Sequence, residues 1–211
     1  MVEDQRSRGS RRAVLGDAAI AVLAREGGRG LTHRAVDREA EVPMGTTKNY
    51  FPSRDSLLEA AARRMAEQHR AAVERLRLTT PSSVTAGQVS ELYPALLHRA
   101  VDDPTQMLAM AELYLEAVRR PGVRTALGEM ALANAESAAD LHQVAGLPST
   151  GRDVGVLDAY LLGLSLSLLA LPPQVLRQIG LDDPYALGLG VFAAAVPKRA
   201  AEDEAPRSRE G

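Results

Sequence analysis

A chain of 211 residues is long enough for one large domain or for a small domain joined to a larger one. With 45% hydrophobic residues it can bury a core, which excludes wholesale disorder. The absence of cysteine excludes a disulfide scaffold, a thiol nucleophile and a Cys-ligated metal site, and a net charge of −2 gives no sign of a nucleic-acid partner.

The first twelve residues, MVEDQRSRGSRR, are polar and lack the apolar run of a secretory signal, which points to the cytoplasm. Arg6, Arg8, Arg11 and Arg12 make residues 1–12 a flexible basic arm, readable either as a source of phosphate or minor-groove contacts or as a solvated tail. From there Val14, Leu15, Ala18, Ala19, Val22 and Leu23 follow helical spacing, and Gly27-Gly28 has the form of a C-cap. Thr32 can N-cap a second helix through about Ala40, and Pro43 suits the first turn of a third that ends near Phe51. Ser53 then caps a long helix to about Leu78, with Asp55 in its first turn.

Thr79–Ser83 reads as a loop. Helical stretches are expected at 85–101, 104–119, 121–145, 152–171 and 183–196, each bounded by Pro or Gly. The charged tail 197–211 has no core of its own and is expected to be disordered. Only five Tyr and two Phe are present, so Leu, Ala and Val must build the core, which favours helices over strands. The reading is all-α: an N-terminal three-helix helix-turn-helix domain at 13–54, then a helical body at 55–196, about nine helices in all.

Function concentrates in the first fifty residues. The short link Ala40-Glu41-Val42-Pro43 holds the second and third helices at a steep angle, with the third projecting. Met44, Gly45, Thr46, Thr47, Lys48 and Asn49 make that segment small and polar. It can approach DNA closely and offers hydroxyls, a phosphate-binding cation and a bidentate amide. Phe51 is the expected inward anchor against Val36, while Tyr50 reads either as core or as a hydroxyl aimed at phosphate.

Leu31-Thr32-His33-Arg34-Ala35-Val36, then Ala40-Glu41-Val42-Pro43, then Gly45-Thr46-Thr47-Lys48-Asn49-Tyr50-Phe51-Pro52-Ser53-Arg54-Asp55-Ser56-Leu57-Leu58 resembles the N-terminal domain of the tetracycline-repressor-like (TetR) transcriptional regulators. The match spans about residues 11–58, with the helix-turn-helix motif at about 32–51. The resemblance implies an all-helical homodimer with an effector-binding C-terminal domain. It implies phosphate contacts from Thr32 and Arg34, a DNA-facing surface of Thr46, Thr47, Lys48, Asn49 and Tyr50, and a backbone clamp at Arg54. The chain departs from the pattern at Glu41, where a glycine is usual, and at Lys48-Asn49, where an aromatic and a histidine are common. Base preference is therefore not carried over.

In the body, Gly155, Ala159, Gly163 and Ser167 place small residues four apart on one ridge, and Ala186, Gly190 and Ala194 repeat the device. Two such helices per chain suit an intersubunit four-helix bundle, with packing inside one chain as the alternative. Pro172-Pro173 and two aspartates argue against a membrane span at 152–171. The pattern Gly188-x-Gly190-x-x-Ala193 follows no strand and is not a dinucleotide site. An effector cavity is expected among residues 85–171, with Tyr93, Leu96, Met107, Met110 and Tyr114 as walls and His98, Asn134, His142 and Ser165 as polar groups.

No nucleophile elbow, H-E-x-x-H or phosphate loop is present, and the four histidines are scattered, so no catalytic residue, metal or cofactor is expected. The expected function is a regulator, read as a repressor, that binds a palindromic operator in double-stranded DNA and is released by a small molecule. The alternative is a helical protein–protein interaction module. The charge supports the former once divided: residues 1–54 carry +3 and residues 55–211 carry −5.

Overall fold

The computed structural model describes residues 2–79 and 84–196. Of the loop expected at Thr79–Ser83, Thr79 is helical and residues 80–83 lie outside the described residues, as do the tail at 197–211 and the side chains of Arg6 and Arg8. Among the described residues every regular element is a helix, and there are ten.

α1 (Val2–Gly30) buries Leu15, Ala18, Ala19, Val22 and Leu23 as its spacing predicts, whereas Val14 is exposed. Its helical geometry breaks at Gly27, whose φ of 70° lies in the left-handed region that favours glycine. The segment expected to stand apart as an arm is instead continuous with α1, which starts at Val2. Arg12 sits over the Phe51 ring, 4.9 Å from its centroid, rather than reaching outward unengaged.

α2 (His33–Glu39) is capped as expected, with the Ala35 amide donating to Thr32 Oγ1 at 3.1 Å. α3 is shorter than expected, spanning only Thr46–Tyr50. α4 (Arg54–Thr79) starts from a reciprocal Ser53–Ser56 cap and buries Leu57, Leu58, Ala61, Ala62, Met65 and Ala66 along one side.

The body continues through α5 (Ala86–Asp102), α6 (Thr105–Ala117), α7 (Pro121–Val144) and α8 (Gly151–Ala170). Capping boxes at Thr85/Gln88 and Thr150/Asp153 fix the starts of α5 and α8. α9 (Pro173–Ile179) lies where the sequence offers only a stop signal. Pro172-Pro173 does end α8, but a proline at the first helical position also preorganises the next helix. α10 (Pro184–Ala195) is N-capped by Asp183, which accepts from the Tyr185 and Ala186 amides.

Two cores hold these helices. The larger joins Leu15, Ala19 and Val22 of α1, Val36 of α2, Phe51, Leu58 and Ala62 of α4, Leu113 of α6 and Val123 and Leu127 of α7. It crosses the boundary expected between residues 54 and 55, so the N-terminal helices pack directly onto α6 and α7. The smaller core joins Val89 and Tyr93 of α5, Leu157 of α8 and Val196, with Phe192 of α10 packed against it. Gly188 explains the close α5–α10 approach: a Cβ there would come within 2.6 Å of Pro94 Cα. That glycine, discounted as a nucleotide fingerprint, is a packing glycine.

Candidate nucleic-acid interface

The geometry of the helix-turn-helix is set by one buried carboxylate. Asp37 of α2 is 1% exposed and accepts three hydrogen bonds from the start of α3. The Gly45 amide donates to Oδ2 at 2.7 Å, and the Thr47 amide and Oγ1 donate to Oδ1 at 2.7 and 2.6 Å. Burial pushes this carboxyl up, but the bonds from Thr47 and Gly45, helped by nearby His33, hold it below the ordinary carboxylate range. His33 ties the other end of α3, its Nε2 donating to the Phe51 carbonyl at 2.6 Å. Glu41 in the turn takes φ 51°, the left-handed conformation that a glycine adopts without strain.

Most of the expected DNA-facing residues lie outward. Thr32, Arg34, Met44, Gly45, Lys48 and Asn49 are exposed, on the start of α2 and along the turn and α3. Thr46 is half-buried and donates its hydroxyl to the Pro43 carbonyl at 2.6 Å. Tyr50 is half-buried and packs on the larger core, with part of its surface outside. Phe51 is the buried anchor, together with Val36, as expected.

Two expectations are corrected. Thr47 is fully buried and committed to Asp37, so it positions α3 rather than facing a ligand. Arg54, expected as a backbone clamp, is engaged inside the chain. Its guanidinium donates to the Leu31 carbonyl at 2.7 Å and to the Gly28 carbonyl, and pairs with Glu116 of α6 at 3.2 Å.

Arg54 belongs to a polar joint between the N-terminal helices and α6. The Gly28 amide donates to Glu112 Oε2 at 2.7 Å, Arg120 donates to Glu116 at 2.7 Å, and Arg120 also pairs with Asp55. The Arg120 hydrogen bond, opposed by burial and aided by Arg54, holds the Glu116 carboxyl below its ordinary range. Asp37, His33, Glu112 and Glu116 went unrecognised in the sequence because each works through a partner distant along the chain.

The body residues separate into three groups. Gly155, Ala159, Gly163, Ala186, Gly190 and Ala194 are exposed and Ser167 is half-buried, and a Cβ at Gly155, Gly163 or Gly190 would meet nothing within 4 Å. Val156, Tyr160 and Tyr185 add exposed apolar surface on the same two helices. α8 has a mean hydropathy of 1.5 and is long and apolar enough to cross a membrane by length and composition. Val154, Leu157 and Ser165 bury one side of it among the other helices.

The expected ligand residues do not line one cavity. Tyr93 and His142 are core: the Tyr93 hydroxyl and His142 Nε2 share a hydrogen bond of 2.7 Å, and His142 Nδ1 and Ser149 Oγ share another of 2.7 Å. Burial lowers the His142 imidazole from its ordinary value. Ser165 is buried, Met107 is half-buried, and Met110 packs on the larger core. Leu96 and Tyr114 are exposed, while His98 bonds its own helix at the Pro94 carbonyl. Asn134 donates to Asp158. One surface cleft of about 310 Å³ lies at Val101, Leu168, Leu176 and Arg177, and another of about 380 Å³ at Val14, Asp17 and Glu39. None of the expected ligand residues lines either.

Comparison with known proteins adds to this geometry. Residues 84–185 match the family described as tetracyclin repressor-like, C-terminal domain. The multidrug binding protein EbrR in complex with imidazole is 30% identical, with a TM-score of 0.64 over 92% of this chain and 98% of that one. EbrR structures also exist with ethidium, proflavin and malachite green. A TetR-family member from Streptomyces coelicolor A3 is 27% identical, with a TM-score of 0.64 over 89% of this chain and 99% of that one. Among proteins of curated function none matches the sequence.

Proposed function

The chain belongs to the TetR family of transcriptional regulators, and from that membership we propose that it acts as a homodimeric repressor, released from a palindromic operator by a small molecule. The observation that carries the reading is the exposed polar face of α3 and its turn, held in place by Asp37 and His33. Arg34 and Lys48 supply phosphate contacts, Asn49 a base-reading amide, and Gly45 close approach. Thr32 and Tyr50 contribute hydroxyls, and Thr46, whose hydroxyl is given to the Pro43 carbonyl, and Met44 contribute apolar contacts.

The open ridges of α8 and α10 support pairing of two copies through a four-helix bundle. Such a dimer sets its two α3 helices in successive major grooves about 34–36 Å apart. The functional division then falls at residue 54, with residues 13–54 reading DNA and residues 55–196 pairing and sensing. Effector binding in the body reaches α3 through α6, whose Glu112 and Glu116 grip Gly28 and Arg54. An effector shifts the equilibrium only by its differential affinity for the two arrangements. The role is regulatory, and the polar α3 face has no use in a module that binds only protein.

Lys48→Ala tests the DNA-binding face. It should weaken binding to specific and random duplexes by similar factors and reduce the logarithmic salt slope by about 1 per lost phosphate contact. Unchanged affinity and salt slope, measured by fluorescence anisotropy, contradict the assigned face.

A further inference from the structure

Among the described residues His142 of α7 is the one histidine with no exposed surface. Its Nε2 shares a hydrogen bond of 2.7 Å with the Tyr93 hydroxyl of α5, and its Nδ1 one of 2.7 Å with Ser149 Oγ, just before α8. Tyr93 and Ser149 are buried too, and neither hydroxyl has a second partner among the described residues. Phe192 of α10 packs on both rings, its centroid 5.2 Å from Tyr93 and 5.8 Å from His142.

This arrangement suits only the neutral ring. A neutral imidazole carries one N–H and one bare nitrogen, so in either tautomer it donates to one hydroxyl and accepts from the other. The imidazolium donates at both nitrogens. The hydroxyl that had donated to the ring must then accept, and its own proton turns into the core without an acceptor. The charge also lacks a counter-ion there, and the contact with the Phe192 ring returns less than these losses. Leu157 and Leu161 of α8 and Val191 and Ala195 of α10 are apolar, and Val89 and Tyr93 face them from α5. Asp158 of α8 is felt at Tyr93 but accepts from Asn134, Asp153 holds the Thr150 cap, and Asp140 of α7 is exposed.

We propose that His142 is a proton-operated latch on α10: neutral, it closes the smaller core, and protonated, it opens that core and frees Phe192 and its helix. Burial lowers the imidazole from its ordinary value of 6.5, so the stability that the closed core supplies is full above 6.5 and is lost as pH falls through the folded value. Any effect on the association of two copies through α8 and α10 rests on the dimer reading above.

Hydrogen exchange of the full-length protein at about pH 7.5 and about pH 5, corrected for intrinsic rates, tests the latch. Protection of α10 should fall about fivefold or more at the lower pH, and α10 should there exchange faster than the slowest amides of α1 and α4. His142→Gln keeps a donor and an acceptor but takes up no proton, so its α10 protection should change by less than about twofold. No fall in the wild type, or an equal fall in the variant, overturns the proposal. A second readout needs no variant: the His142 ring resonance, identified by its proximity to Phe192, should titrate below 6.5 with the midpoint of the α10 change. A ring midpoint at or above 6.5 overturns the proposal as well. A dimer that keeps its affinity while α10 loosens through His142 leaves the latch standing and removes α10 from the pairing face.

Discussion

At the scale of single residues, Asp37 decides whether the first fifty residues present a surface at all. Its side chain spans the turn and closes three donors at the start of a helix only five residues long. Asp37→Asn places an amide where the Gly45 and Thr47 donors need acceptors, leaving at least one buried N–H unpaired. The expected cost is about 1–3 kcal/mol, read from chemical denaturation. Because the folded carboxyl lies below its ordinary value near 3.8, this contribution is full above that value and is lost as pH falls through the folded value. The wild-type advantage over the variant should therefore be constant from pH 5 to 8 and shrink below about 4. An unchanged denaturation midpoint in the variant at pH 7 would show that Asp37 is not the lock.

At the scale of helices, the small-residue ridges of α8 and α10 are where the proposed pairing can be tested against intramolecular packing. The positions at Gly155, Gly163 and Gly190 are open, so the chain itself does not require them to be small. Gly188, by contrast, is required by Pro94 of the same chain. Gly163→Arg should therefore leave the folded monomer intact, with stability raised by up to about 1 kcal/mol from helix propensity. The same change should abolish the dimer in sedimentation measurements. A dimer of undiminished affinity would move the interface elsewhere.

Much of this scale was legible in the sequence. Thr32 as a cap, the stripe on α1 and the exposed ridges depend on neighbours within a turn or two, and Phe51 as an anchor follows from its apolar bulk in a polar segment. Thr47 and Arg54 take partners on other helices, Asp37 of α2 and Glu116 of α6, and helical spacing within their own segments carries no record of either. α9 was missed because a proline pair marks a helix end and a helix start with the same letters. The expected ligand residues scattered for a related reason. Met and Tyr on helices are the material of any core, and Tyr93 and Met110 are used in that way.

At the scale of the whole molecule, one core runs from α1 through α4 to α6 and α7, so the N-terminal helices do not sit on a free hinge. The joint of Arg54, Glu112, Glu116 and Arg120 adds polar links across the same boundary. The net charge of −2 averages over two stretches of opposite sign along the sequence, +3 for residues 1–54 and −5 for residues 55–211. On the proposed function, a monomer with so modest a positive charge should bind DNA weakly, so the proposal requires two subunits on one duplex. Selection of bound duplexes from a random pool, followed by measurement of the mass of the complex formed on the selected sequence, tests that requirement most directly. The account predicts a palindrome whose half-sites lie about 10 base pairs apart, or a multiple of that, occupied by an even number of chains. Recovery of no common sequence, or of a non-palindromic site held by a single chain, would contradict it.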